Sequence, residues 1–456
     1  MNPTTMWWRV VILLCWCVRS EPSSAAPRPP NIILILIDDS GYSDLTGEHI
    51  STPHIKKLFQ ESTEFLNAYV TAPQCSPSRV ALLTGIYHQR LGQESNDEFV
   101  VGLSHPNVSI IPRYLPPEYS SAAIGKWNLG DIPNSPVSKG FSKQFLYRNC
   151  DEAFAAHRTM PFNDINVSGV EYRTSIMFQT ATSYIREHSR QPFFLYFAPM
   201  SPHPPYVYPP HYEALYSKFN TTTHSKVRKK VLTMTKELDD GIGTILATLR
   251  ELQLDERTVI FFLNDNGAPD TSSRTDHYNS NYPLTGYKGD LHEGGIHVRF
   301  AVRWAGHVRG GVTKIERVSS LDILPTIIDV TRRFHVSLKH NVLDGRSLVD
   351  LLGIGGESGM VRSRRKRELF WRFSMNCKPV KKAMIRGDLK LIQIEYQYSR
   401  LYNLSSDITE SIDMSETYPD LVDELSGVLD SWVSALPPLP PRKNKATCDK
   451  MPKRYA

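Results

Sequence analysis

Cys75 lies in a segment whose residue types could bind an anion and carry out covalent chemistry. The segment reads Cys75-Ser76-Pro77-Ser78-Arg79. Ser76 can cap a helix, Pro77 suits its first turn and Gly85 can end it. A helix N-terminus carries N–H groups without helical partners and a partial positive charge, so it attracts anions. The spacing therefore predicts that an oxyanion docks beside Cys75, with the cation Arg79 one turn away.

Two apolar runs each end in side chains that could bind a cation. Asp38 and Asp39 follow the apolar run 32–37, which Asn31 precedes, and Asp265 and Asn266 follow the run 259–263. Continuous apolar runs are typical of buried parallel strands, and open α/β sheets bind ligands at the carboxyl ends of such strands. Adjacent carboxylates repel each other, so a hard cation with oxygen ligands explains them best. An ordinary polar turn is the alternative explanation for Asp38 and Asp39.

Three more candidate residues lie in polar segments. They are Lys126 in 123–130, His203 in the Pro-rich segment 201–205 and Lys288 in 286–295. Taken alone, a histidine in a Pro-rich loop is usually a solvated side chain, and a lone cysteine is usually buried or disulfide-bonded. The combination of these segments with the Cys75 segment and the two strand ends, in one consistent order along the chain, argues against both of these explanations.

In that order, the motifs resemble those of the formylglycine-dependent sulfatases. Along the chain, the similar segments are DDSGYSD at 38–44, CSPSR at 75–79, GKWNLG at 125–130, SPHPP at 201–205 and GYKGDLHEGG at 286–295. The likeness covers roughly residues 30–435. It implies an alkaline-phosphatase-like fold, and it implies that a formylglycine-generating enzyme oxidises Cys75 to formylglycine in the endoplasmic reticulum.

The resemblance also implies a role for each candidate residue. One divalent cation, usually Ca²⁺ in this family and with Mg²⁺ as the alternative, would be held by Asp38, Asp39, Asp265, Asn266 and the modified Cys75. A hydroxyl of the hydrated formylglycine would attack sulfur, and Arg79 would steady that oxygen. Sulfate would be bound by Lys126, Lys288 and His203, and His203 would protonate the leaving alcohol. The implied reaction is hydrolysis of a sulfate ester, either an aryl sulfate or a sulfated carbohydrate.

The chain departs from the family pattern at two places, of which Asn128 is the main one; at the other, His297-Val298-Arg299 replaces the usual Arg-Val-Pro. Asn128 stands where the family has a histidine, and an amide cannot exchange a proton near neutral pH. A catalytically impaired, sulfatase-like binding protein is therefore an alternative function. A phosphatase or phosphodiesterase of the same fold is less well supported, because those enzymes generally use serine or threonine and two metal ions.

Composition and the N-terminal segment suggest where such a protein works. The chain has 456 residues and a formal net charge of +6, which weakly favours anionic substrates, and no basic cluster with interleaved aromatics suggests nucleic acid. Residues 1–26 resemble a signal peptide whose apolar stretch is too short to span a membrane, although an anchor is the alternative. N-glycosylation sequons begin at Asn107, Asn166, Asn220 and Asn403. We expect a secreted or lysosomal glycoprotein without a membrane span.

Alternating strand and helix patterns predict the fold. Residues 27–360 should form a catalytic domain with a doubly wound, mixed or parallel sheet flanked by helices, including a long helix at 232–252. Residues 361–456 should form a small subdomain. Its expected parts are antiparallel strands at 383–392 and 400–404, a helix at 418–434 and a loose Pro- and Lys-rich tail from Pro437.

Two features of the C-terminal part leave alternatives open. The basic run 362–367 is either a solvated loop or a site for basic-residue convertases. If Cys75 is converted, Cys150, Cys377 and Cys448 allow one disulfide, and a Cys377–Cys448 bond is one arrangement. The sequence makes no prediction about the oligomeric state.

Overall fold

The computed structural model describes residues 28–45, 49–96, 102–104, 108–130, 133–146, 154–155, 171–219, 224–270, 280–332, 343–355, 367–375 and 378–439. The strands are β1 (Asn31–Ile37), β2 (Thr63–Tyr69), β3 (Ser120–Gly125), β4 (Lys143–Leu146), β5 (Phe154–Ala155), β6 (Glu171–Tyr172), β7 (Phe193–Ala198), β8 (Thr258–Asn264), β9 (Phe300–Arg303), β10 (Val312–Ser319), β11 (Glu368–Phe373), β12 (Lys381–Arg386), β13 (Leu389–Ile394) and β14 (Tyr398–Asn403). The α-helices are α1 (Pro53–Gln60), α2 (Cys75–Thr84), α3 (Arg173–Glu187), α4 (Glu213–Lys218), α5 (Lys226–Glu251), α6 (Glu293–Ile296), α7 (Ile323–Arg332) and α8 (Pro419–Ser434).

Eight strands form the main sheet, in the order β10-β2-β9-β8-β1-β7-β3-β4. Neighbouring strands are parallel, except that β9 runs antiparallel to both β2 and β8. The predicted mixed sheet is therefore confirmed, and the two predicted apolar runs form the central strands β1 and β8. The long helix is also present, although α5 begins six residues earlier than predicted.

The central strand β1 is buried on both faces. Ile33, Ile35 and Ile37 pack with side chains of α1, α3 and α5, whereas Ile32, Leu34 and Leu36 pack with side chains of α2 and α7. Because successive side chains of a strand point to opposite faces, a strand covered by helices on both sides must be apolar throughout. This is the physical reason for the uninterrupted apolar run.

A second sheet lies in the C-terminal part, with the antiparallel order β11-β12-β13-β14. One of its faces packs against α8, and the other contributes Trp371 and Ile385 to a core shared with Tyr69 and Ile296. The prediction of one strand at 383–392 was wrong. Gly387, with a left-handed φ of 58°, turns the chain there and divides the segment into β12 and β13.

Several predictions fall on residues outside the described ranges. These are the signal peptide at 1–26, the sequons at Asn107, Asn166 and Asn220, the cysteines Cys150, Cys377 and Cys448, residues 362–366 and the tail from 440. Arg367 is described, and its guanidinium forms an ion pair with Asp322. Among the described residues, no helix combines the length and the apolar character needed to cross a bilayer. The boundary at 360/361 stays a prediction.

Candidate active site

The candidate site forms where the parallel strands of the main sheet end. Asp38 and Asp39 follow β1, Asp265 and Asn266 follow β8, and Lys126 follows β3. The backbone ladder continues one residue past the strands, since Asp265 N donates to Ile37 O at 3.0 Å and Lys126 N donates to Ala198 O at 2.8 Å. Neighbouring parallel strands thus bring these distant residues to one edge of the sheet.

Cys75 is the first residue of α2 and is 1% exposed. Ser76 does not cap the helix as predicted, because Cys75 is already helical and Gln74 occupies the capping position. The Ser76 N–H instead donates to Asn96 Oδ1 at 2.9 Å, and Ser76 Oγ accepts a hydrogen bond from Gln93 Nε2 at 2.6 Å. Gly85 ends the helix with a φ of 67°, as predicted.

Charged groups surround the sulfur of Cys75. Its Sγ lies 3.6 Å from Asp38 Oδ1, 3.8 Å from Asp39 Oδ1 and 3.3 Å from Lys126 Nζ. Burial, and after it the negative charge of Asp265, raise the pKa of the thiol. The environment therefore disfavours a thiolate, which is the form in which an unmodified cysteine acts as a nucleophile.

Arg79 is fully buried and connects three parts of the site. Its Nε and Nη2 donate to Asp265 Oδ2 at 3.0 and 2.6 Å, and Nη2 lies 3.5 Å from Asp38 Oδ1. Its Nη1 donates to Lys126 O and to the Tyr196 hydroxyl, each at 3.0 Å. Arg79 thus fixes the carboxylates in place. The contribution of Tyr196 was not predicted, and its only sequence signal was a hydroxyl-bearing residue in an otherwise apolar strand.

Two lysines and a histidine face the adjacent carboxylates. Lys126 Nζ lies 2.7 Å from Asp38 Oδ2, and Lys288 Nζ lies 2.7 Å from Asp39 Oδ1. His203 Nε2 lies 3.6 Å from Asp39 Oδ2, while its Nδ1 is 2.5 Å from Pro204 O. Burial opposes ionisation of both carboxyls, but Lys126 lowers the pKa of Asp38 and Lys288 lowers the pKa of Asp39. Burial, and next Lys126, lower the pKa of His203.

The donor atoms suit a hard cation. Ligand atoms of Asp38, Asp39, Cys75 and His203 lie within 4.8 Å of one another. Asn266 Nδ2 donates to Asp39 Oδ1 at 2.8 Å, and the buried Asn266 Oδ1 accepts no hydrogen bond from any described residue. Carboxylate and amide oxygens favour Ca²⁺ or Mg²⁺, whereas the Cys75 sulfur and the His203 nitrogen are softer ligands that match these cations less well.

Two other motif residues, Asp44 and Asn128, have structural roles in the loops that carry the site. Asp44, the last residue of DDSGYSD, accepts from Gly41 N at 2.9 Å and pairs with Arg228, so it stabilises the loop after β1. Asn128 has a left-handed φ of 58°, which asparagine tolerates better than most residues. Its side chain forms no hydrogen bond with another described residue.

Sequence reasoning also missed a buried charge cluster beside the site. Lys390 Nζ lies 2.7 Å from Glu293 Oε1 and 2.8 Å from Glu410 Oε1, and the side chains of Lys390 and Glu293 are fully buried. Glu293 belongs to the same motif as Lys288. Its partner comes from β13, more than 90 residues later, and no local pattern indicates that pairing.

A family comparison agrees with this arrangement. The sulfatase family model matches residues 30–332, which is more than half of the chain and contains every candidate site residue. The chain belongs to the sulfatase family.

Two relatives and one solved structure illustrate the likeness. Human N-acetylgalactosamine-6-sulfatase is 32% identical over 336 residues, which is 67% of this chain and 62% of that protein. The chain thus matches less than two thirds of that relative's length. The N-acetylgalactosamine-6-O-sulfatase of Bacteroides thetaiotaomicron is 25% identical over 89% of this chain and 93% of its own. The crystal structure of Ps i-CgsB in complex with k-i-k-neocarrahexaose has a TM-score of 0.79 at 24% identity, covering 94% and 99% of the two chains, and it supports the fold.

Proposed function

We propose that this member of the sulfatase family hydrolyses sulfate esters of carbohydrates, with a formylglycine made from Cys75 and one divalent cation. The observation that carries the proposal is the position of Cys75 in C-S-P-S-R, with its sulfur 3.3 Å from Lys126 Nζ and beside Asp38 and Asp39. The names of the two relatives support a sulfated sugar as the substrate. Small aryl sulfates are substrates by the same chemistry.

The cation would be held by Asp38, Asp39, Asp265, Asn266 and the oxygen that replaces the Cys75 sulfur. It would supply positive charge that activates this oxygen and polarises the sulfate, and Ca²⁺ is the first choice, with Mg²⁺ as the alternative. The formylglycine would supply the covalent nucleophile.

The protein's own residues orient and neutralise the sulfate. Lys126 and Lys288 each hold an ammonium group against one carboxylate of the pair, so they can bind sulfate oxygens in a buried, weakly screened site. The Pro204 carbonyl at Nδ1 leaves Nε2 of His203 as the ring atom that faces the site. Because Nδ1 donates its N–H to that carbonyl, Nε2 carries a proton only when the ring is an imidazolium, and in that form Nε2 is the atom that can give a proton to the departing alcohol.

Asn128 supports a second candidate function, a binding protein for sulfated glycans with impaired catalysis. Losing one general acid or base costs about 10²–10⁴-fold in rate. A phosphatase or phosphodiesterase activity has weaker support, because the nucleophile position is a cysteine in the modification sequence.

The decisive experiment is the mass of the peptide around residue 75, from protein secreted by a eukaryotic host together with the formylglycine-generating enzyme. We expect formylglycine in place of cysteine, and turnover of an aryl sulfate and of N-acetylgalactosamine 6-sulfate. Cys75→Ala should abolish turnover and retain the melting temperature within a few degrees. Finding only unmodified cysteine would exclude the proposed nucleophile.

The proposed function fits a secretory route, because the formylglycine-generating enzyme meets its substrates there. The segment 1–26 would direct entry, and the protein would be secreted or lysosomal. Of the four sequons, Asn403 lies in the described part, at the end of β14, where it accepts hydrogen bonds from Ser405 N at 3.1 Å and Ser405 Oγ at 2.8 Å. Glycosidase digestion of secreted protein, followed by peptide mapping, would test its use.

A further inference from the structure

The turn between β13 and β14 presents aromatic and cationic side chains that the candidate active site does not use. Tyr396 is 93% exposed and has a left-handed φ of 60°, a conformation that usually selects glycine or asparagine. The backbone therefore gives no reason for a large aromatic ring at this position. Nearby, the guanidinium of Arg400 lies 4.2 Å from the centre of the Tyr398 ring.

The strand register places Tyr398 and Arg400 on the face of the sheet that is turned toward the main domain, and Tyr396 lies in the adjoining turn. Lys381, Ile394 and Tyr398 are directly paired across β12, β13 and β14, so they share one face. Arg400 comes two residues after Tyr398 and lies on the same face. With strands about 4.8 Å apart, this row of residues is about 10 Å long.

The inner end of the row touches the loop that carries Lys288. Lys381 Nζ donates to Gly289 O at 3.0 Å and lies 3.4 Å from Asp290 Oδ1. In turn, Gly289 N donates to Pro73 O at 2.8 Å, two residues before Cys75. The sheet face therefore begins beside the candidate active site and leads away from it.

We propose that Tyr396, Tyr398 and Arg400 form a subsite for a second, anionic sugar residue of the sulfated glycan, next to the residue whose sulfate is removed. This inference rests on the proposed function. The proposed function does not specify the neighbouring sugars of the glycan, and the subsite would bind one of them. Aromatic rings can stack on the C–H face of a pyranose ring, and a guanidinium binds sulfate or carboxylate oxygens through two N–H groups.

Arg400 is accessible to such a ligand. Its side chain is 44% exposed, and its ion pair with Asp413 is long, at 3.8 Å. Exposed pairs of this kind contribute little to stability, so an incoming anion can compete with the Asp413 carboxylate. Asp290 and Asp413 lie near the row and already face a cation, and Glu395, directly before Tyr396, accepts a hydrogen bond from Val380 N at 3.0 Å.

The test compares affinities in the Cys75→Ala background, where no turnover interferes. Isothermal titration calorimetry measures the dissociation constants of N-acetylgalactosamine 6-sulfate and of a sulfated tetrasaccharide that contains it. We expect the tetrasaccharide to bind more tightly than the monosaccharide. Tyr396→Ala and Arg400→Ala should each weaken tetrasaccharide binding by at least about fivefold and leave monosaccharide binding unchanged.

Tyr418→Ala is the matched control, because Tyr418 is another exposed tyrosine of this subdomain, directly before α8 on the opposite side of the sheet. It should change neither affinity. The subsite is wrong if the tetrasaccharide binds no more tightly than the monosaccharide, or if Tyr396→Ala and Arg400→Ala behave like the control. Hydrolysis of the monosaccharide by protein with Cys75 intact is a separate assay, and its absence would count against the proposed function instead.

Discussion

Asn128 stands where the motif resemblance predicts a histidine, and its backbone geometry makes that predicted departure testable. Its φ of 58° is one that histidine also tolerates better than most residues. Asn128→His should therefore fold normally. If a missing proton carrier limits the proposed reaction, turnover of an aryl sulfate should rise, with the gain bounded at about 10²–10⁴-fold. Steady-state and burst kinetics measure the effect.

Asn128→Gly is the control for this prediction, because glycine accepts the left-handed backbone and carries no side chain. It should not raise turnover. Formylglycine content and melting temperature must match among the three proteins. An unchanged or lower rate for Asn128→His would show that another group has replaced the histidine, and inactivity of both on every sulfate ester would favour the binding protein.

The carboxylates Asp38, Asp39 and Asp265 lead to a prediction about metal removal. We expect a chelator to abolish activity and lower the melting temperature, and Ca²⁺ or Mg²⁺ to restore both. A ligand present at 100 times its dissociation constant stabilises a protein by about 2.7 kcal/mol. Differential scanning fluorimetry with and without the ion measures this gain.

A second group of possible ligands provides the control for the metal prediction. His54, Asp239 and Asp240 also lie close together, but Asp239 Oδ1 accepts the N–H groups of His54 and Ile55 at the start of α1. Asp240→Asn should therefore keep the full thermal response to the cation, whereas Asp38→Asn should lose it. If Asp240→Asn lost the response and Asp38→Asn kept it, the cation would bind at the group of His54, Asp239 and Asp240, and the metal prediction would be wrong.

At the scale of elements, helix α5 carries a buried carboxyl that should make stability depend on pH. Glu237 is 4% exposed and receives a hydrogen bond from Ser175 Oγ at 3.1 Å. Burial raises its pKa from 4.5 to about 8. Because the folded state holds the proton more tightly, this stability is fully present below pH 4.5 and is lost as pH rises through 8. One pKa unit is about 1.4 kcal/mol, so the loss reaches about 5 kcal/mol.

Glu237→Gln should remove this dependence, since an amide stays neutral. The free energy of unfolding of the variant, minus that of the wild type, should increase by a few kcal/mol between about pH 5 and pH 9. Urea unfolding at both pH values measures it. Glu251→Gln, on the same helix but at a side chain that is 59% exposed, should show no such trend. A flat difference for Glu237→Gln would mean that the carboxyl is ionised in the folded protein.

Strand β13 is held to the main domain by Lys390, which pairs with Glu293 and Glu410. Lys390→Met would leave two buried acidic groups without their cation, and breaking such pairs costs about 3–5 kcal/mol. Lys382→Met is the control on β12, because its pair with Asp430 is partly exposed and should be worth less than about 1 kcal/mol. Chemical denaturation of both variants gives the comparison. Equal losses would show that burial of the ion pairs does not matter.

The elements that the sequence predicted well are those in which one local signal decides the outcome. The apolar runs before Asp38 and Asp265 predicted strands β1 and β8, because burial on both faces leaves no room for polar residues. The residues that were missed depend on distant partners. Ser76 lost its capping role because the helix begins two residues earlier than predicted, and the role of Glu293 needs Lys390 from another part of the chain.

At the scale of the whole molecule, the main sheet and the C-terminal sheet share one core. Trp371 is 2% exposed, its Nε1 donates to Val70 O at 2.8 Å, and its ring meets Tyr69 edge-on at 5.8 Å. Arg372 Nη2 lies 2.5 Å from the buried Glu94 Oε1. Separate domains usually meet through smaller and more polar interfaces. The boundary at 360/361 stays a prediction, and from these contacts we expect the parts on either side of it to fold as one unit.

This shared core predicts that both sheets unfold together. Trp371→Ala should cost about 3–5 kcal/mol, because it removes a large buried ring that packs against both parts. Since the parts are coupled, the loss should move one calorimetric transition to lower temperature and should not split it into two. Ile412→Ala, at a side chain that is 65% exposed, should leave the transition in place. Two transitions in the wild type, or a new early transition confined to residues 367–439 by limited proteolysis, would show that the C-terminal sheet is an independent domain after all.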